Sequence, residues 1–296
     1  MIAGIDVGFG WTKVVTDDKI FKFPSWLANY ISADISEVAT VKYGDRMFVV
    51  GRDVKYMSQK IEIPTITELV KYFPVFIKYT ETLTGKLEKI VTGVPVKYKD
   101  HKEELESIIR DLGINCEVVP QGFGIFMDVK EKLHRKEVLV LDIGYNTFDY
   151  LILTKKDDDT GWKKTRGKTI DRLGIIKAVE TFRDSLPTDF SYAKNYSFSR
   201  LLEIFERGTL MFDGEEIDLN NIKQQALAKY GELIISRMKE EMGEDFTEMD
   251  EVIFAGGGAN LVKLNIFRCA KTHIPEQPEF SQARGYLKYA LGDSEF

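Results

Sequence analysis

Two short segments of the sequence place an aspartate directly after an apolar run and follow it with a glycine-rich turn. The first is GIDVGFGWTK, residues 4–13, and the second is LVLDIGYNTFDY, residues 139–150. In these segments Asp6 and Asp142 are each followed by a β-branched residue, a glycine and an aromatic residue. A single turn of this kind is common between strands. Its recurrence after 136 residues, about one domain's length, indicates a duplicated functional element.

The residue types in these turns suit phosphate binding. Two glycine-rich hairpins facing each other across a cleft would present backbone N–H groups from both sides, and such groups bind phosphate oxygens. Thr12 and Thr147 can donate hydroxyl hydrogen bonds, and Lys13 can supply a compact cation. A carboxylate repels a phosphate unless a hard cation lies between them, so Asp6 and Asp142 predict Mg²⁺, held largely through water. The alternative for each segment is an ordinary capped hairpin.

The elements that would position these turns follow an α/β pattern. Strands are predicted in the first fifty residues and at 89–95, 116–119, 138–141, 150–153 and 252–255. Helices are predicted at 66–79, 101–112, 173–182, 198–205, 222–242 and near 283–291. Pro74 is expected to kink or break the first helix, and residues 153–164 are expected to form a polar hairpin tip. Strands alternating with helices favour the α/β class, and the lack of a low-complexity linker predicts interlocked domains.

Composition places the chain among ordinary globular proteins of about two domains. It has 296 residues, of which 44% are hydrophobic and 30% are charged, with a net charge of −6. The acidic balance argues against direct binding to nucleic acid or to an anionic membrane. Cys116 and Cys269 are far apart, and His101, His134 and His273 form no ligand motif, so neither a disulfide framework nor a zinc site is expected. No apolar run is long enough for a membrane span, and we expect a cytoplasmic protein.

A third glycine-rich motif, VIFAGGGANL at residues 252–261, begins with the predicted strand and continues as a glycine run. In order and spacing, the three motifs resemble the first phosphate loop, the second phosphate loop and the adenosine motif of the actin superfamily of ATPases. The resemblance is closest to bacterial and archaeal actin-like proteins of the ParM type, the plasmid-segregation branch. That branch is favoured by the D-I-G-x-x-T-x-D form of the second loop, the PQGFG segment, the compact length and the terminal QARGYLKYA segment.

The resemblance implies an actin-like (ribonuclease H-like) duplicated two-domain α/β fold with a nucleotide cleft between the domains. Domain I would comprise residues 1–137, completed by the C-terminal helix at about 275–296, and domain II would comprise residues 138–274. The implied cofactors are ATP or ADP and Mg²⁺, with the metal at Asp6 and Asp142 through water. The residues implied to bind the nucleotide are Gly8, Phe9, Gly10, Trp11, Thr12, Lys13, Gly144, Tyr145, Asn146, Thr147, Gly174, Glu206, Arg207, Gly256, Gly257, Gly258 and Ala259.

The resemblance also implies catalytic residues, namely Gln121, Asp142 and Asp6. Gln121 matches the position of the residue that orients the attacking water, and a glutamine would position the water rather than act as a strong base. The alternative for Gln121 is a surface loop residue. Glu206 and Arg207 match polar residues beside the nucleotide base, although a solvated helix face would explain them as well.

Tyr145 and Asn146 replace small residues that are common in the second loop of the superfamily, and they would narrow the phosphate pocket. For Trp11, packing on the back of the first hairpin is favoured over contact with the nucleotide.

The leading interpretation is a filament-forming ATPase that transfers a phosphoryl group from ATP to water. The resemblance implies self-association into filaments and a role in plasmid or DNA segregation through an adaptor protein, or as a cytoskeletal element. One alternative is a monomeric small-molecule kinase of the same superfamily, which would need an acceptor hydroxyl and a base beside it. Another is a nucleotide-sensing regulator without enzymatic activity.

Overall fold

The structure, a computed structural model, describes residues 1–31, 38–157, 161–243, 245–249, 251–262 and 271–292. The polar hairpin tip predicted at 153–164 lies partly outside the described residues, and Cys269 lies outside them. The strands are β1 (Ile2–Val7), β2 (Trp11–Val15), β3 (Ile20–Pro24), β4 (Leu27–Asn29), β5 (Thr40–Tyr43), β6 (Arg46–Val50), β7 (Lys60–Ile61), β8 (Lys89–Val94), β9 (Asn115–Pro120), β10 (Glu137–Ile143), β11 (Thr147–Lys155), β12 (Trp162–Asp171), β13 (Thr209–Phe212), β14 (Glu215–Asp218), β15 (Glu251–Ala255) and β16 (Lys271–His273).

The helices begin and end close to the predicted positions in most cases. They are α1 (Ile66–Thr84), α2 (Lys102–Arg110), α3 (Phe123–Val129), α4 (Ile175–Asp184), α5 (Phe198–Arg207), α6 (Asn220–Met242), α7 (Asp245–Glu248) and α8 (Ser281–Ala290). Shorter 3₁₀ helices span Gly51–Tyr56, Val96–His101, Lys130–Lys132, Thr188–Asn195 and Pro278–Phe280. None of the described helices combines the length and the apolar character needed to cross a membrane.

Two five-stranded sheets share one topology. Their strand orders are β3-β2-β1-β8-β9 and β12-β11-β10-β15-β16. In each sheet the first three strands are antiparallel neighbours, and the last two strands run parallel to the central strand. The central strands β1 and β10 are almost entirely buried, as expected for strands of a sheet that is covered on both faces. The matching topologies confirm the predicted duplicated α/β fold.

Two smaller sheets lie outside the duplicated core. One has the strand order β5-β6-β4-β7, and the other is the hairpin of β13 and β14. The four-stranded sheet packs on helix α1, where the rings of Phe48 and Tyr72 meet edge to face with centroids 6.1 Å apart. These additions extend the two halves of the fold without entering the five-stranded sheets.

Helix α1 is longer than predicted and continues through Pro74. The sequence predicts a helix at 66–79 with a kink or break at the proline, whereas the helix continues to Thr84. Proline inside a helix costs about 3 kcal/mol. Its neighbours Phe73 and Val75 are buried in the core, and burying such side chains contributes about 1.5–3 kcal/mol each. Tertiary packing therefore outweighs the local cost of the proline.

Strand β12 is absent from the sequence prediction, which places only a polar hairpin tip in this region. The strand pairs with β11 along its whole length and forms the edge of the second sheet. Most of its side chains are exposed. An exposed edge strand lacks the alternating apolar residues on which strand prediction depends. Its polar sequence therefore predicts a loop.

Helices α3 and α8 cross in direct backbone contact. A Cβ atom on Gly285 would lie 1.6 Å from the carbonyl oxygen of Gly124, so only glycine allows this approach. Helix α8 packs against β1 and β8 of the first sheet, whereas α3 contacts β10 and β15 of the second sheet. The chain therefore crosses between the sheets at these helices. The domain boundaries at residues 137 and 275 stay predictions.

Candidate active site

One cleft gathers most of the residues predicted to bind a nucleotide. The turn between β1 and β2, the turn between β10 and β11 and the start of the glycine run after β15 all line it. The predicted residues that line the cleft are Asp6, Gly8, Phe9, Gly10, Trp11, Lys13, Gln121, Asp142, Gly144, Tyr145, Asn146, Thr147, Glu206, Gly256 and Gly257.

The two hairpin turns close in the same way. The amide of Gly8 donates a hydrogen bond to the carbonyl of Trp11 at 3.1 Å, and the amide of Gly144 donates to the carbonyl of Thr147 at 2.9 Å. In each turn the closing glycine lies two residues after the aspartate. The two aspartates therefore occupy equivalent positions in the two sheets.

The residues opposite the two aspartates differ in charge. Asp6 pairs in register with Lys13, whose Nζ donates to Asp6 Oδ2 at 2.8 Å. Asp142 pairs in register with Asp149. The first hairpin thus holds an ion pair, whereas the second holds two facing carboxyl groups.

Burial and like charge raise the pKa of both carboxyl groups in the second hairpin. Burial raises the pKa of Asp142 to about 8, the charges of Asp149 and Asp6 add to this rise, and Lys13 opposes it. Burial also raises the pKa of Asp149 to about 6, although hydrogen bonds from two threonine hydroxyls oppose the rise. This part of the cleft is short of positive charge, which a bound cation would supply.

The described residues include no group of three or more histidine, cysteine, aspartate or glutamate side chains that could hold a metal ion directly. Asp6 and Asp142 nevertheless fit an ion that is held largely through water, since Mg²⁺ usually keeps several waters and uses one or two carboxylates. The excess of carboxyl groups over ammonium groups at this place is the observation that supports the fit.

Gln121 lies where strand β9 ends and α3 is about to begin. Its amide donates to the carbonyl of Val94 at 2.9 Å, and the residue lines the cleft. Gly122 follows with a φ of 87°, a left-handed conformation that glycine adopts readily. The chain can therefore turn into α3 directly after Gln121.

The glycine run after β15 meets three different surroundings. Gly256 has a φ of 86°, and a Cβ atom there would lie 2.2 Å from Asp142 Oδ1. At Gly257 a Cβ atom would meet nothing within 4 Å, so this residue opens on the cleft. At Gly258 a Cβ atom would lie 2.2 Å from Ile143 Cγ2. The backbone of Gly256 therefore packs against the Asp142 side chain. Gly257 faces open space, and Gly258 packs in the core.

Tyr145 of the second hairpin turn lies close to Gly10 of the first turn. A Cβ atom on Gly10 would lie 2.9 Å from Tyr145 Cγ, so the first turn needs glycine at this contact. The ring of Tyr145 also meets Phe198 edge to face, with centroids 6.0 Å apart. Burial raises the pKa of the Tyr145 hydroxyl to about 12, with the charge of Glu206 adding to the rise.

Trp11 lines the cleft, which corrects the expectation that it packs on the back of the hairpin. Lys22 Nζ lies 5.3 Å from the centroid of the Trp11 ring and 3.3 Å from Glu279 Oε1. Burial raises the pKa of Glu206, and the Lys22 ammonium opposes this rise. This part of the cleft therefore combines an aromatic ring with one ammonium and two carboxyl groups.

Five residues of the predicted site do not line this cleft, namely Thr12, Gly174, Arg207, Gly258 and Ala259. Thr12 is fully buried, and its hydroxyl shares a hydrogen bond with that of Ser25 at 2.9 Å, so it is turned away from a ligand. Gly174 stands behind the second turn, where its amide donates to the carbonyl of Asn146 at 3.2 Å. Arg207 is exposed at the end of α5.

The predicted site omits Asp149 and Gln282. Asp149 is the last letter of the D-I-G-x-x-T-x-D pattern, and the register of a hairpin closed at Gly144 would have placed it opposite Asp142. Gln282 accepts a hydrogen bond from the amide of Gly122, which lies 160 positions earlier in the chain. No local sequence pattern signals a contact of that separation.

The fold and the cleft define an actin-like protein with two similar halves, and two family models match the chain accordingly. Residues 4–124 match the model described as actin-like proteins, N-terminal domain. Residues 140–266 match the model described as archaeal actin homologue MreB-like, C-terminal. The chain therefore belongs to the actin superfamily, as the sequence motifs indicate. No curated protein sequence matches it.

Solved structures of actin-like proteins share the fold at low sequence identity. A non-polymerisable quadruple mutant of pCBH ParM is 21% identical with a TM-score of 0.76, and the match covers 97% of this chain and 98% of that chain. A ParM in a 15-stranded filament from Clostridium botulinum is 19% identical with a TM-score of 0.71 and 98% coverage of both chains. The archaeal actin homologue Ta0583 in complex with ADP is 17% identical with a TM-score of 0.73, covering 98% and 99%.

Proposed function

We propose that this protein binds ATP or ADP with Mg²⁺ in the cleft, assembles into filaments and hydrolyses ATP. The observation that carries the proposal is the pair of hairpin turns, each led by an aspartate and closed in the same way, that line one cleft together with Gly257. Backbone amides at glycine turns bind phosphate oxygens. The open space at Gly257 leaves room for a ligand to approach the backbone.

The charges in the cleft suit a nucleotide that binds together with a divalent cation. Asp6 and Asp142 would hold Mg²⁺ largely through water, and the ion would supply neutralisation of phosphate charge. Lys13 carries the ammonium group of the first turn, 2.8 Å from Asp6. Its compact charge suits a phosphate oxygen at that turn.

Hydrolysis would depend on Gln121 and Asp142. Gln121 lines the cleft beside the two turns, and its side-chain carbonyl can accept a hydrogen bond from water and orient it toward the terminal phosphate. Asp142, which lines the cleft, would hold the same water and the water molecules around the ion. Backbone amides of both turns would stabilise the charge that develops on the phosphate oxygens.

The base of the nucleotide would lie toward Trp11, Lys22 and Glu206, which line the cleft together. An aromatic ring can stack on a base, and a carboxyl group can accept hydrogen bonds from its amino group. Arg207 is left out of this arrangement because it does not line the cleft.

Filament assembly would favour the nucleotide-bound cleft, and hydrolysis would weaken it through a population shift of domain closure. The filament described for a ParM of the same fold supports self-association. We assign the filament to plasmid or DNA segregation through an adaptor protein, or to a cytoskeletal role, in the cytoplasm. The net charge of −6 supports an adaptor rather than direct DNA contact.

Phosphate release and light scattering, measured together after Mg-ATP is added to the full chain, test this proposal. We expect both signals to rise in the wild-type protein, and Asp142→Ala to lose most phosphate release while it keeps its fold by circular dichroism. Phosphate release that is unchanged in Asp142→Ala would overturn the site. ATP consumption only after addition of an acceptor alcohol indicates a kinase, and nucleotide binding without turnover indicates a regulator.

A further inference from the structure

The side chain of Gln282 joins helix α8 to the turn that carries Gln121. Its Oε1 accepts hydrogen bonds from the amide of Gly122 at 3.2 Å and from the amide of Ile125 at 3.3 Å. These amides belong to the residue after Gln121 and to the first turn of α3. Gln282 is only 3% exposed, so loss of its oxygen would leave two buried amides unpaired.

The other end of the Gln282 amide is held as well. Its Nε2 donates to the hydroxyl of Tyr286, which lies so close to the backbone of β8 that a Cβ atom on Gly93 would be 1.9 Å from it. The next residue of β8, Val94, accepts the amide of Gln121 at 2.9 Å. The backbone at Gln121 is therefore fixed from the first sheet by Val94 and from α8 by Gln282.

Helix α8 is anchored on α3 independently of Gln282. The carboxylate of Asp128 accepts hydrogen bonds from Ser281 Oγ and from Arg284 Nη2, each at 2.8 Å. The carbonyl of Asp128 accepts from Lys288 Nζ at 2.9 Å. Removal of the Gln282 amide should therefore loosen the turn at Gln121 while the two helices stay packed.

We propose that Gln282 is a positioning residue for ATP hydrolysis, which holds the turn after β9 so that Gln121 is presented to the cleft in one orientation. This inference rests on the proposed role of Gln121 in orienting the attacking water. Gln282 borders the cleft, but both polar ends of its side chain are hydrogen-bonded within the protein, so it acts through Gln121 rather than on the nucleotide. A misplacement of about 1 Å in a group of this kind can cost about a hundredfold in rate.

Three variants of the full chain separate positioning from general stability. Gln282→Met removes the acceptor oxygen at similar length, and Gln282→Glu keeps an acceptor for both amides. Ser281→Ala is the matched control, because it removes a hydrogen bond between α8 and α3 one residue away without touching the turn. We expect kcat to fall about tenfold in Gln282→Met with KM and affinity for a fluorescent ATP analogue within about twofold, whereas Ser281→Ala stays near wild type. Gln282→Glu keeps the acceptor but adds a buried negative charge, so its kcat should fall less than that of Gln282→Met without reaching the wild-type value. If Gln282→Met does not fold, Gln282→Asn, which shortens the reach, replaces it.

A double variant tests whether Gln282 acts through Gln121. The combination of Gln121→Ala with Gln282→Met should hydrolyse ATP no more slowly than Gln121→Ala alone, because no glutamine is left to position. Hydrogen exchange in residues 122–126 should be faster in Gln282→Met and unchanged in Ser281→Ala.

The outcomes distinguish this inference from the proposed function. Wild-type kcat in Gln282→Met beside a slowed Gln121→Ala overturns the positioning role and leaves the ATPase proposal intact. Multiplied losses in the double variant overturn the positioning role too, since they indicate independent action. A wild-type chain that hydrolyses no ATP overturns both proposals.

Discussion

Asp142 and Asp149 lie directly opposite each other in the second hairpin, at the register where the first hairpin pairs Asp6 with Lys13. The duplication has therefore kept one carboxyl group in each turn and changed the charge of its neighbour. The result is a cleft whose first hairpin carries an ion pair and whose second hairpin carries two facing carboxyl groups, of which Asp149 is buried and Asp142 lines the cleft. Binding of a cation at the second hairpin, or removal of one of its two carboxylates, should consequently change the free energy of unfolding.

Asp149→Asn should stabilise the nucleotide-free protein at pH 8 and change its stability little at pH 5. The pKa of Asp149 is raised to about 6 and that of Asp142 to about 8, so the folded state binds more protons than the unfolded state between about pH 4 and 8. Stability contributed by these groups therefore falls as the pH rises through that window. Calorimetric Tm values in the presence of EDTA at both pH values measure the effect. An equal Tm difference between variant and wild type at pH 5 and pH 8 would contradict the charge repulsion.

Glu251→Gln should destabilise the protein at neutral pH by about 1–3 kcal/mol, the usual cost of unpaired buried groups. Glu251 is fully buried and accepts hydrogen bonds from the amides of His134 and Arg135 and from the His273 ring. Burial alone would raise the pKa of Glu251, but these hydrogen bonds lower it below its ordinary 4.5.

The stability that Glu251 contributes is present above pH 4.5 and is lost as the pH falls through the lowered pKa. Denaturant titrations at pH 7 and pH 3.5 should therefore show a larger difference between wild type and Glu251→Gln at pH 7. A difference that grows toward acid pH would show that the carboxylate is not the stabilising form.

Gln121→Ala should slow ATP hydrolysis while ATP binding stays largely intact, because the side chain would contact the attacking water and not the base or the first phosphates. Filaments of the variant should persist longer than wild-type filaments after a single addition of ATP. Light scattering followed over time gives their lifetime. Equal lifetimes for the two proteins would count against the water-positioning role.

The sequence predicts the parts of the site that depend on local pattern. Apolar runs before Asp6 and Asp142 mark the central strands, and the repeated turn chemistry marks equivalent hairpins. Once a strand is followed by a glycine turn and a second strand, hairpin geometry brings the turn to the end of the sheet, and the structure has this arrangement in both halves.

The parts that depend on tertiary contacts were not predictable from local pattern. Thr12 has the residue type of a phosphate ligand, but it is on the strand face that packs against Ser25. Pro74 remains in a helix because the surrounding core outweighs its local cost. The approach of Gln282 to the turn at Gly122 joins residues 160 positions apart, and only the packed fold brings them together.

The titration of a fluorescent ATP analogue into wild type and Gly257→Val tests the nucleotide site most directly. The new side chain should meet no protein atom near its Cβ, since a Cβ atom at Gly257 has nothing within 4 Å, so the nucleotide-free Tm should be unchanged. Gly256→Ala is the contrasting variant and should lower the Tm, because its Cβ atom would lie 2.2 Å from Asp142 Oδ1. We expect Gly257→Val to bind the analogue at least about tenfold more weakly than wild type, a change of about 1.4 kcal/mol. Wild-type affinity in a folded Gly257→Val protein would contradict it, because the nucleotide would then not contact this part of the cleft.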